Sequence, residues 1–161
     1  MNLMKLIRAL LGTGAALMLS ACGGPVPSDM FLTLSVSTRD VAVKTAINGK
    51  PSDFLSGGEE GSMTASAPLN NTVKEGENEA TFLLSGRDHG DDGVIDAAFL
   101  ATLEIAVKGE IVDTLEPGER MIFSRELTEE EAAALAGGES VTITERFTVS
   151  RAALEEMKAG E

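Results

Sequence analysis

The sequence predicts a mainly β protein, an antiparallel β-sandwich with two short helices near its C-terminus. Three observations lead there. Apolar residues recur at every second position in about seven or eight short segments, the period of a half-buried strand. Gly, Pro and Asn clusters separate these segments at the spacing of sandwich turns. Nowhere does a strand pattern alternate with a long helical one, which excludes a parallel α/β sheet.

In chain order, Leu32, Leu34 and Val36 alternate with Thr33, Ser35 and Ser37 to give the first strand. Val41, Val43, Thr45 and Ile47 form one face of the second, with Lys44 and Asn48 on the other. Asn48-Gly49 marks a turn, and Pro51 argues against an immediate tight return. Residues 51–61, ending in Gly57-Gly58-Glu59-Glu60-Gly61, read as an acidic loop. Met63, Ala65 and Ala67 predict a short strand at a sheet edge. Lys74-Glu75-Gly76-Glu77-Asn78 is a turn, and Ala80, Phe82 and Leu84 alternate behind it. The longest pattern, Ala97, Phe99, Ala101, Leu103, Ile105 and Val107, predicts a central strand, with Leu100, Thr102 and Glu104 on its opposite side.

A turn at Lys108-Gly109 or Gly109-Glu110 leads into Ile111–Leu115, Pro117-Gly118 turns again, and Met121–Phe123 is a further strand. Thr128 followed by Glu131 has capping-box spacing, and Gly137-Gly138 stops the helix so begun. Ala132, Ala133 and Leu135 form its packing side, and Glu129-Glu130-Glu131 a solvated one. Val141, Ile143, Phe147 and Val149 predict the last strand, where Glu145 interrupts the apolar face as a bulge or an edge position. Ser150 caps a second expected helix over Arg151–Lys158. The segment Ile47-Asn48-Gly49, then Leu69 through Val73-Lys74-Glu75-Gly76-Glu77-Asn78 into Phe82, resembles jelly-roll and Ig-like accessory modules, which implies a sandwich.

The N-terminus carries an address. Lys5 and Arg8 form a basic start, and the eleven-residue apolar run Ala9–Leu19 is too short to span a bilayer as a mature helix. It reads as the helix of a cleaved secretion signal, residues 1–21. Leu19-Ser20-Ala21-Cys22 places small residues directly before the chain's one cysteine and resembles the lipobox of bacterial lipoproteins. That resemblance implies a diacylglyceryl group on the Cys22 sulfur, cleavage before it, and a lipid-anchored protein of the cell envelope. Gly23 and Gly24, where an inner-membrane retention Asp would stand, imply the outer membrane of a Gram-negative cell, on its periplasmic or surface face. An ordinary secretory signal ahead of a free thiol is the alternative. Residues 22–29, with Pro25 and Pro27, read as a lipidated tether, and 30–161 as the sandwich domain.

Lys5 and Arg8 leave with the signal, so the mature chain sets eleven basic against 26 acidic residues, a net charge of −15. Such a charge repels phosphate backbones, so no nucleic-acid partner is expected. With Cys22 acylated, no intramolecular disulfide forms. The absence of Trp and Tyr removes the usual stacking platforms for sugars and bases.

One polar cluster points to an ion. Asp88-His89-Gly90-Asp91-Asp92-Gly93-Val94-Ile95-Asp96 partly matches the EF-hand-type loop, with Asp88 first, Asp92 fifth, Gly93 at the sharp turn and Asp96 ninth. Gly90 and Phe99 stand where further ligands belong, and Asp91 is a substitute for one of them. The candidate calcium ligands are therefore Asp88, Asp91, Asp92 and Asp96, against the alternative of a solvated Asp-Gly connection. His89 is the lone histidine, with no second His to share a zinc ion and no Gly-x-Ser-x-Gly elbow to serve. The sequence points to a binding or structural lipoprotein with an envelope protein or a glycan as partner, and not to an enzyme. A calcium-dependent adhesion or carbohydrate-binding module is the second reading, and a small hydrolase the third.

Overall fold

The structure, a computed structural model, describes residues 23–26, 30–87, 94–107 and 121–150. Eight strands and one helix follow in the order β1 (Met30–Arg39), β2 (Val41–Ile47), β3 (Lys50–Gly57), β4 (Met63–Pro68), β5 (Gly76–Gly86), β6 (Ala98–Val107), β7 (Met121–Glu126), α1 (Glu129–Ala136) and β8 (Ser140–Val149). They form two antiparallel four-stranded sheets, β4-β1-β6-β7 and β3-β2-β5-β8. The signal segment, Ile111–Leu115 and the helix expected over Arg151–Lys158 lie outside the described residues, so α1 is the one helix among them.

The sheets face each other because alternation gives each an apolar inner side. Leu32, Leu34 and Val36 of β1 and Phe99, Ala101 and Leu103 of β6 meet Val43 and Ile47 of β2 and Ala80, Phe82 and Leu84 of β5, all buried. Phe82 and Phe99 cross the interface edge to face, ring centroids 5.2 Å apart, an arrangement favoured by the ring quadrupoles. β6 lies between β1 and β7, as its long pattern predicts. Thr102 points away from this core, yet it is buried where β6 passes between its neighbours, opposite Ser35 of β1 and Ser124 of β7.

The chain does turn back directly at Asn48-Gly49. Both residues have positive φ, 48° and 74°, the pair a type I′ hairpin requires and one that Asn and Gly tolerate. Pro51 is accommodated because β3 is an edge strand. Next to the closing pair Ile47–Lys50, Pro51 faces Ala46 at a position whose N–H points away from β2. The stretch read as an acidic loop is thus strand as far as Gly57, with Leu55 sealed in the core. β4 takes the edge position expected of it, and β8 is an edge strand whose register with β5 runs unbroken past Glu145.

The capping box forms as the spacing predicts. The Glu131 amide donates to the Thr128 hydroxyl at 3.2 Å, and the Thr128 amide to the Glu131 carboxylate at 2.8 Å. At the other end the amides of Gly138 and Glu139 bond the carbonyls of Leu135 and Ala134. Only Leu135 of the helix is fully buried. Glu131 and Ala132, four and three residues before it, share its side, while Ala133 is exposed. The helix end comes so close to β5 that a Cβ on Gly86 would stand 2.3 Å from the Leu135 carbonyl oxygen. Only glycine permits that approach.

Candidate functional site

The registers give the sandwich two distinct ends. Arg39 faces Ala98, and Val41 faces Gly86, at one end; Met30 faces Val107, and Ile47 faces Ala80, toward the other. The first end holds a cavity of about 550 Å³. Ser37, Thr38 and Arg39 of β1, Ala97 to Leu100 around the start of β6, Ser62, and the Glu126–Glu129 entry into α1 with Ala132 line it. Its wall is mixed, with Phe99 and Leu127 packed into or against the core and carboxylates and hydroxyls around them.

Thr38 is the unusual member. It continues the inward positions Leu32, Leu34 and Val36, so the pleat turns a hydroxyl toward the interior. The residue is 5 % exposed, and its Oγ1 has no hydrogen-bond partner among the described residues. A buried hydroxyl so placed costs about 1–3 kcal/mol relative to one that is satisfied. The other inward threonine, Thr45, donates to the Leu55 carbonyl at 2.5 Å. Sequence reading missed Thr38, although a polar residue at the fourth inward position of a clean alternation was the signal.

Beside the cavity, one arginine ties three elements together. Arg125 of β7 bonds both oxygens of Glu131 on α1, at 2.5 and 2.6 Å, and the carboxylate of Glu145 on β8 at 3.1 Å. This explains the acid on the inner face of β8: Glu145 reaches across the open side of the sandwich to the other sheet. Phe123 and Phe147 stack in the same region, centroids 5.5 Å apart. Glu131 therefore does not belong to a solvated face. Burial raises its pKa, but hydrogen bonds from Thr128 and Arg125 together outweigh it, so the carboxyl lies below its ordinary value of 4.5.

Of the candidate calcium ligands only Asp96 falls among the described residues. It is exposed and accepts a hydrogen bond from Arg39 at 2.8 Å. Asp88, Asp91 and Asp92, together with His89, lie outside them, as does Cys22. Arg87, just before the loop, and Asp96, its last residue, place its two ends at the cavity end of the sandwich, where the Arg87 amide bonds the Asp40 carbonyl and Arg39 bonds Asp96. Among the described residues no three His, Cys, Asp or Glu side chains converge to hold a metal ion.

The opposite end is closed by asparagines. Asn78, buried, accepts from the Lys74 amide and from Asn48, and donates to the carbonyls of Lys74 and Gly76. Asn48 also donates to the Thr72 carbonyl and accepts from the Glu79 amide. The two turn motifs are thus one hydrogen-bonded unit. The segment read as a tether meets it: the Glu75 amide bonds the Gly24 carbonyl at 3.0 Å, Pro25 bridges to Lys74, and Val26 is buried in the core.

These features define an acidic antiparallel β-sandwich with a cavity at one end and a docked N-terminal segment at the other. No family model, no curated protein and no solved structure matches the chain.

Proposed function

We propose that this chain is a lipid-anchored, extracytoplasmic binding module, acylated on Cys22 and taking a small ligand into the cavity beside Thr38. The observation that carries the binding half is the cavity itself, about 550 Å³ at one end of the sandwich, with Phe99 and Leu127 beside hydroxyls and carboxylates in its wall. A ligand with an apolar body and a few hydrogen-bonding groups would suit such a wall, the usual pairing in small-molecule sites. The anchor half rests on Leu19-Ser20-Ala21-Cys22.

Two measurements test the reading. Metabolic labelling with a fatty-acid analogue should mark the wild type and not Cys22→Ala; a labelled mutant sinks the anchor. Native mass spectrometry of protein released gently from the envelope should show a small-molecule adduct that is lost in Ala97→Phe, which fills the cavity. If wild type and Ala97→Phe give the same bare mass, the cavity is not a binding site. The calcium-dependent module stays as a second reading, because the ends of the Asp88–Asp96 loop emerge at the same end as the cavity.

A further inference from the structure

We infer that the sandwich stands directly on the bilayer, with the Asn48-Gly49 and Lys74-Glu75 end against the lipid headgroups and the cavity turned away from them. The inference rests on acylation of Cys22. A lipoprotein domain is ordinarily free to tumble only if residues separate its anchor from its first fixed contact. Here none do. Gly23, the residue after Cys22, lies so close to Glu75 that a Cβ on it would fall 1.4 Å from the Glu75 carbonyl oxygen. Gly24 is hydrogen-bonded to the Glu75 amide, and Val26 is sealed in the core. The acylated residue is thus one peptide unit, about 3.8 Å between Cα atoms, from backbone fixed to the domain.

The occupant of this end is a lipid surface, because the chain leads straight into it. Lys50 and Lys74 are exposed there, but Glu75 and Glu77 stand beside them, so the path of the chain and not charge selects the surface. The cavity lies at the far end of β1, a ten-residue strand, which at 3.3 Å per residue puts it about 30 Å further from the membrane. A ligand or partner would approach it from the aqueous side.

The experiment uses the mature lipoprotein purified from its membrane, its acyl group verified by mass, and reconstituted in phosphatidylcholine vesicles carrying a headgroup-labelled energy-transfer acceptor. A fluorescent residue is placed at position 50 in one sample and at position 60, in the β3–β4 connection at the cavity end, in another. Transfer should be several-fold stronger from position 50. Inserting about ten Gly/Ser residues between Cys22 and Gly23, a reach of about 16–19 Å, should erase most of that difference while leaving the fold intact. Equal transfer from both positions in the acylated protein, or a difference unmoved by the insertion, overturns the orientation alone. An unacylated Cys22 overturns the anchor and the orientation together.

Discussion

Leu103 and Thr102 are sequence neighbours on opposite sides of β6, and they show what alternation can and cannot tell. Leu103 is fully buried between the sheets, so Leu103→Ala should cost about 2–5 kcal/mol. Thr102 has the outward parity expected of it but is 7 % exposed, because residues of two flanking strands surround it. Thr102→Ala should still cost less than Leu103→Ala, and equal shifts of the two denaturation midpoints would mean the faces are wrongly assigned. Thr38 gives the opposite sign. Thr38→Val removes a buried unsatisfied group and should raise the stability of the ligand-free protein by about 1–3 kcal/mol. A destabilised Thr38→Val would show that the hydroxyl supports the fold instead. Periodicity could read which way each of these side chains points. It could not read whether neighbours cover an outward residue or satisfy an inward one, since both depend on pairing between distant strands.

The α1 connection carries a pH dependence. The Glu131 carboxyl has a native pKa below its ordinary value, so its contribution is fully present above about pH 4.5 and is lost as pH falls through the native value. Denaturation midpoints across acid pH should therefore fall less steeply in Glu131→Gln than in the wild type; identical slopes would show that the Arg125 bridge does not report on folding. The capping box that begins α1 was legible because its chemistry is local, three residues apart. β3 was not legible: Pro51 and a run of Ser, Asp and Gly read as loop, and only an edge position lets such residues form a strand. Nor was the partner of Glu145, which comes from the other sheet. The Asp88–Asp96 loop has its own test, a thermal melt in millimolar calcium, in magnesium and in chelator at matched ionic strength. A calcium site with a dissociation constant on the order of 10⁻⁴ to 10⁻³ M would stabilise the fold by about 1.4 kcal/mol at ten times that concentration. That gain should vanish in Asp88→Asn with Asp92→Asn, and three coincident melts would leave the loop a plain connection.

At the scale of the whole molecule, the mainly β character was legible from alternation and turn residues alone. The pairing was not, because each inner face is equally apolar and nothing in the spacing says which strand lies beside which. That pairing is strongly non-local. Asp40, at φ 54°, is the single residue between β1 and β2, and it sends them into different sheets. β1 must then find β4 and β6, while β5 waits for β8, the last strand among the described residues. Loops of that size close late and make such β topologies slow to fold, typically over milliseconds to seconds. Were the chain exported N-terminus first, as the proposed anchor implies, the corner at Asp40 would become a timing device. It denies β1 a local partner: β2 closes at once on β3, but β1 has no hairpin to form with β2 and stays unpaired until β4 and β6 follow.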